Sequence, residues 1–319
     1  ENGEIAFPVS EITIASNLKE MFKSLTPAND LEFNYGVNAH SLLIEDMMVG
    51  GIWLTDFINE QNLEIISKDA LMEASKIALE FKNKTMKVEY KTKAQPVTEA
   101  DVKIDNYLKN FFKRKTPNFG WLSEETEDDG SRFKNEYFWC LDPIDGTRSF
   151  INQKPEYTIS LALIKKTTPI LGFIVNPETQ EFFFAKKNKG AFCNNKKINV
   201  SNKKEIQNCR YAISNSEIGR LSELNFVHEK NIIKMGSIAY KIALVAKGEI
   251  DIAISFTKKN DWDVAAADLI LQEAGGKINE INGKLVQYNT SDLKIKSIVA
   301  SNKTILTELQ CKLSNSNIH

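Results

Sequence analysis

Residues 139–150, Trp-Cys-Leu-Asp-Pro-Ile-Asp-Gly-Thr-Arg-Ser-Phe, limit the possible fold more than any other segment of this chain. The apolar run Tyr137 to Leu141 predicts a buried strand that delivers Asp142 to its end. Pro143 cannot donate a ladder hydrogen bond, so it predicts that the strand stops there. A second carboxylate, Asp145, follows one turn later. The segment therefore predicts a strand that ends at Asp142, with a second acidic side chain one turn beyond it.

Gly146 and Thr147 come next and predict the start of a helix. The first N–H groups of a helix have no partner within the helix and can bind an anion. Carboxylate oxygens suit hard divalent cations, which can bridge to a phosphate. The segment therefore favours a metal–phosphate site. A structural alternative remains open, in which Asp142 and Asp145 only cap backbone groups at a turn.

Three further segments place acidic residues in similar contexts. Glu124 and Glu125 are adjacent carboxylates, which repel each other unless water or a cation neutralises them. Residues 260–276 predict a helix with Asp263 at its N-cap. Thr98 and Asp101 have the spacing of a capping box, which would open an amphipathic helix. The apolar positions of that helix are Val102, Ile104, Leu108, Phe111 and Phe112. A solvated charge run and ordinary helix capping would account for each segment taken alone.

Together, four motifs resemble the inositol monophosphatase family of Mg²⁺-dependent, lithium-sensitive phosphomonoesterases. They are Pro-Val-Thr-Glu-Ala-Asp at 96–101, Glu-Glu at 124–125, Asp-Pro-Ile-Asp-Gly-Thr at 142–147 and Trp-Asp-Val-Ala-Ala-Ala at 262–267. The resemblance runs from about residue 66 to about residue 310. It implies an α+β fold, the layered αβαβα sandwich of that family, and a homodimer. It also implies hydrolysis of a small phosphorylated metabolite through in-line attack by metal-activated water.

The resemblance implies a ligand set for two tightly bound Mg²⁺ ions. Glu124, Asp142 and the backbone carbonyl of Ile144 would hold the first ion. Asp142, Asp145 and Asp263 would hold the second. Oxygen ligands of this kind match the octahedral preference of Mg²⁺.

Catalytic and substrate-binding roles are implied in the same way. Asp101 would act in catalysis by helping to hold a third, weaker Mg²⁺. The N–H groups of Gly146 and Thr147, together with Asp145, would bind the substrate phosphate. The Thr147 hydroxyl would help to orient the attacking water, and Glu124 or Thr147 would accept or relay its proton.

The substrate is predicted less sharply than the reaction. Inositol-selective members of the family place a Glu seven or eight residues before the Trp-Asp aspartate, whereas residues 255–260 contain no carboxylate. Lys258 and Lys259 could recognise an extra phosphate, or could be solvated loop lysines. Inositol 1-phosphate is the first candidate substrate. A 3′(2′),5′-bisphosphate nucleotidase and a non-catalytic regulatory member are the alternatives, and the five retained carboxylates favour catalysis.

Composition excludes some partners. Lys and Arg total 41 against 42 for Asp and Glu, so net charge does not draw the chain to nucleic acid or to a membrane surface. An apolar run long enough to span a bilayer is also missing from the sequence. Four scattered cysteines lack metal-ligand spacing and predict reduced thiols in a cytoplasmic protein. They are Cys140, Cys193, Cys209 and Cys311.

Three regions are expected along the chain. Residues 1–55 form an N-terminal extension, 56–200 an α+β half with the metal-binding loops, and 201–319 an α/β half. Apolar runs between turn residues predict an antiparallel meander in the second region, with strands at Thr158–Lys165, Ile170–Val175 and Glu181–Ala185. In the third region they predict a helix at Ile238–Ala246. Residues 1 to about 50 resemble the C-terminal tail of TldD/PmbA-type zinc metalloproteases, but the chain has no His-Glu-x-x-x-His motif. The extension is either a gene-fusion remnant or a β-rich addition whose apolar segment Leu42–Trp53 packs on the phosphatase.

Overall fold

The computed structural model describes residues 10–15, 25–27, 42–44, 48–52, 60–82, 88–92 and 95–314. The chain forms two compact units, Glu1–Leu63 and Glu64–His319. The described strands of the first unit are β1 Ser10–Ala15, β2 Leu25–Pro27, β3 Leu42–Ile44 and β4 Met48–Ile52. β1 pairs with β4 and β2 with β3, both antiparallel. The division at residues 55 and 200 stays a prediction, and the predicted packing of Leu42–Trp53 involves residues outside the described ones.

The second unit contains a seven-stranded sheet. Its strands are β7 Gly120–Ser123, β8 Tyr137–Asp145, β9 Thr158–Lys165, β10 Thr168–Asn176, β11 Glu181–Lys186, β12 Gly190–Cys193 and β13 Lys196–Ile198. Strands β8 to β13 follow one another across the sheet as antiparallel neighbours. β7 lies at the edge, parallel to β8. The meander predicted from Thr158 onward is confirmed.

Helices cover one face of this sheet. They are α1 Glu60–Lys82 and α2 Glu99–Lys115, accompanied by the hairpin β5 Val88–Thr92 and β6 Gln95–Thr98 and the short helices α3 Ser131–Lys134 and α4 Thr147–Ile151. The Phe112 ring of α2 lies 4.2 Å from the Trp139 ring of β8. Val102 was expected on the buried face of α2, but it is exposed. Its position precedes the buried stripe through Ile104 and Leu108.

Two helices, α6 Ile238–Ala246 and α7 Asp261–Glu273, cover the other face. Phe138 and Cys140 of β8 share one core with the buried alanines of α7, while Trp139 points to α2. A β-carbon at Gly172 of β10 would lie 2.7 Å from the carbonyl oxygen of Ala266. The small residues on both elements therefore let α7 approach the sheet closely. Because both faces are covered, the first five residues of β8, Tyr137 to Leu141, are apolar without alternation.

A second, five-stranded sheet lies beyond these helices. Its strands, in spatial order, are β15 Ile232–Lys234, β14 Tyr211–Ile213, β16 Ile252–Ser255, β20 Ile298–Asn302 and β18 Gly276–Asn279. The remaining elements are α5 Ile218–Ser222, the outer helix α8 Lys303–Ser314, and the pair β17 Lys259–Asn260 with β19 Lys294–Ile295. α8 packs on β20 and β18. The layers therefore run αβαβα, and the predicted fold class is confirmed.

Where the structure describes the chain, no helix is both long and apolar enough to cross a bilayer.

Candidate active site

Asp142 lies inside a strand rather than at its end. β8 continues through Pro143 to Asp145, so the prediction that Pro143 ends the strand is wrong. The pairing with β9 is instead irregular between Asp142 and Asp145, which is where proline is tolerated in a strand. Oδ1 of Asp142 accepts the Ile144 N–H at 3.0 Å. The side chain is 1% exposed, and the local hydrogen bond holds its orientation.

Glu124 reaches the same place from the neighbouring strand. It follows β7, and its backbone N–H donates to the Leu141 carbonyl at 3.2 Å. β7 and β8 run parallel, so their carboxyl ends meet at one edge of the sheet. This pairing brings Glu124 next to Asp142 although 17 residues separate them in the sequence.

Asp263 comes from the start of α7. The predicted N-cap is wrong by three positions: Asn260 is the cap, and Asp263 completes the capping box from inside the helix. Its Oδ2 accepts the Asn260 N–H at 2.6 Å. One ligand oxygen from each of Glu124, Asp142 and Asp263 lies within 4.8 Å of the other two. Three distant segments therefore form one carboxylate cluster.

Asp145 lies beside this cluster and is tied to helix α6. Its Oδ2 accepts the Ser237 hydroxyl and the Ala239 N–H, each at 2.6 Å. Both hydrogen bonds end on Oδ2. Among the described residues, Oδ1 is therefore the oxygen of Asp145 that is available to a cation. Gly146 follows with φ of 96°. A β-carbon there would lie 2.9 Å from the Glu156 carbonyl oxygen, so the turn that directs the chain into α4 requires glycine.

Two other predicted site residues are held by local bonds. The Thr147 hydroxyl donates to the Ile144 carbonyl oxygen at 3.1 Å. That oxygen can accept a second partner, and the Thr147 oxygen keeps its own lone pairs. Asp101 is 1% exposed, and its Oδ2 accepts both the N–H and the hydroxyl of Thr98, at 2.7 and 2.6 Å. The predicted capping box is confirmed, and it uses one oxygen of Asp101.

Burial and mutual repulsion raise the pKa values of these carboxyl groups. The pKa of Asp142 lies well above its usual range, first because of burial and then because of the carboxylates of Glu124, Asp145, Asp263 and Asp101. Burial, followed by the charge of Asp145, raises the pKa of Asp263 to about 6. Burial also raises the pKa of Asp145, although the Ser237 and Ala239 hydrogen bonds oppose the rise.

The same cluster fits a hard divalent cation. Carboxylate and carbonyl oxygens are the ligands that Mg²⁺ prefers. A cation placed among the carboxylates would remove the repulsion that raises their pKa values. The donor set, gathered at a buried sheet edge, is therefore consistent with Mg²⁺.

An open cavity of about 490 Å³ lies in front of the carboxylates. The cluster, Gly146 and Thr147 line one part of it. Three other segments of the second unit also line it, 214–217, 234–238 and 257–260, together with Pro96, Arg148, Ser149, Asn152, Lys154 and Glu156. This size is within the range of small-molecule sites.

Sequence reasoning missed the residues that support the site from these segments. Ser237 caps α6 with φ of 50° and binds Asp145. Lys241 is 1% exposed, and its ammonium donates to the Ser214 hydroxyl oxygen at 2.8 Å. Burial lowers the pKa of Lys241 to about 8. A lysine within the otherwise apolar sequence 238–246 was the available signal.

The fold and the carboxylate site define the protein as one of the metal-dependent phosphatase type. The family model for the "Inositol monophosphatase family" matches residues 59–319, and the chain belongs to that family. It is 30% identical over 255 residues to "Inositol monophosphatase 3" of Solanum lycopersicum, covering 76% of this chain and 92% of that protein. It is 31% identical over 230 residues to "Inositol-1-monophosphatase" of Caulobacter vibrioides, covering 69% and 88%.

A solved structure agrees. The extragenic suppressor protein suhB from Bartonella henselae superposes with a TM-score of 0.71 at 27% identity, covering 80% of this chain and 99% of that one. The N-terminal resemblance is matched separately. The model described as "PmbA/TldA metallopeptidase C-terminal domain" matches residues 1–51.

Proposed function

We propose that this protein is a Mg²⁺-dependent phosphomonoesterase that hydrolyses a small phosphorylated metabolite, with inositol 1-phosphate as the first candidate. The carboxylate cluster of Glu124, Asp142 and Asp263, open to a cavity beside the Gly146 turn, carries this proposal. Relatives named inositol monophosphatase support the first candidate.

The cluster would hold Mg²⁺ through Glu124, Asp142, Asp145, Asp263 and the Ile144 carbonyl. When bound, Mg²⁺ would stabilise charge on the phosphate and make water a better nucleophile. Asp101 would support a further, weaker ion.

The surrounding residues would position the substrate and move the proton. The N–H groups of Gly146 and Thr147 would bind phosphate oxygens. The Thr147 hydroxyl proton is directed to the Ile144 carbonyl, so the hydroxyl oxygen can accept a hydrogen bond from the attacking water. A carboxylate oxygen of Glu124 would then take the water proton.

Phosphate release tests this proposal. The purified full chain would be assayed with Mg²⁺ and with EDTA against inositol 1-phosphate, histidinol phosphate, fructose 1,6-bisphosphate and adenosine 3′,5′-bisphosphate. We expect Mg²⁺-dependent release that Glu124→Gln reduces about 100-fold or more. Glu223→Gln, which changes an exposed carboxylate, should match the wild type. Equal release by Glu124→Gln and the wild type would contradict the assigned role.

A 3′(2′),5′-bisphosphate nucleotidase is the second candidate. One observation favours it: residues 255–260 bring lysines instead of a carboxylate to the cavity. A non-catalytic regulatory role is the third. It would be supported if the protein released no phosphate from any member of the panel in Mg²⁺.

A further inference from the structure

Thr126 links the segment that carries Glu124 to helix α2. The strand β7 ends at Ser123, and Glu124 follows it. Two residues later, the Thr126 hydroxyl donates to Oδ2 of Asp105 at 2.5 Å. Asp105 lies on α2, 21 residues earlier in the chain. This hydrogen bond therefore connects two separate elements of the second unit beside the proposed metal site.

The same helix carries a proposed site residue. Asp101 and Asp105 are one turn apart on α2, so their side chains lie on one face of the helix. Both are buried, at 1% and 3% exposure. The capping box with Thr98 holds Asp101, whereas Asp105 is bound to Thr126. One face of α2 therefore fixes Asp101 and also holds the segment that follows Glu124.

The backbone around Glu124 is restrained from two sides. On one side, the Glu124 N–H donates to the Leu141 carbonyl of β8 at 3.2 Å. On the other side, the Thr126 hydroxyl is bound to α2. Between these points, the Glu125 N–H donates to Ser123 Oγ at 3.4 Å, which is long for such a bond. Of these two bonds after Glu124, the one from Thr126 is much the shorter.

Packing alone does not require a carboxylate at position 105. Burial of a carboxylate costs free energy unless its oxygens are hydrogen-bonded. Oδ2 of Asp105 accepts the Thr126 hydroxyl, but Oδ1 is buried and has no hydrogen-bond partner among the described residues. An apolar pair of similar size could join α2 to this segment without that cost. The carboxylate supplies instead a short, directional bond to one hydroxyl.

We propose that Asp105 and Thr126 are positioning residues, and that their hydrogen bond holds the Glu124 carboxylate in place for Mg²⁺ binding. Glu124 contacts the ion in the proposed mechanism, whereas Asp105 and Thr126 act through it. Groups that orient a metal ligand from outside the coordination sphere typically change metal affinity about 10- to 100-fold when they are lost. The inference rests on the proposed function, because it takes Glu124 as a Mg²⁺ ligand.

Mg²⁺ binding to the full chain tests this role. Isothermal titration calorimetry would give the dissociation constant for Mg²⁺, and phosphate release would give the Mg²⁺ concentration at half-maximal rate. Thr126→Val removes the hydroxyl and keeps the shape of the side chain. We expect it to raise both values about tenfold.

Three further variants separate positioning from a general loss of stability. Thr126→Ser keeps the hydroxyl and should bind Mg²⁺ within about twofold of the wild type. Asp105→Asn keeps an acceptor but removes its charge, so it should weaken binding less than Thr126→Val does. Thr116→Val is the matched control, because Thr116 is buried at the other end of α2, where its hydroxyl bonds to Phe112 and Trp139. It should lower the Tm and leave Mg²⁺ binding unchanged.

Three results would overturn the positioning role and leave the proposed function intact. They are Mg²⁺ binding by Thr126→Val equal to that of the wild type, equal weakening by Thr126→Val and Thr116→Val, and failure of Thr126→Ser to retain wild-type binding. If Thr126→Val does not fold, unchanged Mg²⁺ binding by Asp105→Asn would overturn the role instead. A wild-type chain that binds no Mg²⁺ and releases no phosphate would contradict the proposed function itself.

Discussion

Replacing Asp263 with Asn should inactivate the enzyme and yet stabilise its metal-free form. The pKa of Asp263 is about 6, against an ordinary value of 3.8. A difference of about two units costs up to about 3 kcal/mol of folding free energy once the group is ionised. Asn removes the charge, and its amide oxygen can still accept the Asn260 N–H that Asp263 binds. The metal-free variant should therefore gain up to about 3 kcal/mol at pH 7.5, or roughly 6–10 °C in Tm.

The effect of Asp263→Asn on the free energy of unfolding depends on pH. The folded protein keeps the Asp263 proton to a higher pH than the unfolded chain, because its folded pKa is raised. The associated stability is complete below about pH 4 and is lost as the pH rises through about 6. The advantage of Asp263→Asn should therefore be large at pH 7.5 and nearly absent at pH 4.

Thermal and urea unfolding in EDTA at pH 4 and pH 7.5 would measure the stability difference between the wild type and Asp263→Asn. A Mg²⁺ titration of both proteins would follow. Mg²⁺ should raise the Tm of the wild type and have much less effect on Asp263→Asn. Asp69→Asn, an exposed carboxylate on α1, is the matched control and should follow the wild type. If metal-free Asp263→Asn were no more stable than the wild type at pH 7.5, the argument that burial and carboxylate repulsion destabilise ionised Asp263 would fail.

Three further predictions concern the ions and the N-terminal extension. Asp142→Asn should abolish turnover and leave the metal-free fold intact or slightly more stable, because it removes one of several repelling charges. Phosphate release and unfolding in EDTA measure these two effects. Substantial Mg²⁺-dependent turnover by the variant would refute the prediction. Li⁺ should inhibit phosphate release in the millimolar range or below, as the family resemblance implies. Ca²⁺ should also inhibit, because its coordination is looser than that of Mg²⁺. Steady-state assays measure both effects, and equal turnover with Ca²⁺ and Mg²⁺ would contradict the Ca²⁺ prediction. Deleting residues 1–50 should leave kcat and KM within about twofold of the full chain, because every proposed site residue lies beyond them. A large loss of kcat at unchanged Tm would instead show that the extension contributes to the site.

Local sequence signals predicted most of the elements. The helix at Ile238–Ala246 and the strand at Thr158–Lys165 have the predicted bounds, because each is an apolar run between clear turn residues. The errors came where two signals compete. Asp263 is both a good N-cap type and a good third helical residue, and the choice depends on whether Asn260 is available to cap. Pro143 usually ends a strand, but a pairing irregularity lets β8 continue to Asp145.

The residue types at the site and their order were predicted because four motifs together resemble one family, whereas each acidic segment taken alone also fits turn or helix capping. The sequence could not show which oxygen of each carboxylate remains available. That depends on tertiary contacts such as Ser237 with Asp145, 92 residues apart in the chain. It also could not show that Lys241 is buried under Ser214 while Glu217 is used by the backbone of Phe256. These pairings decide the charge of the cavity wall, and only packing of the two sheets around α6 and α7 brings their members together.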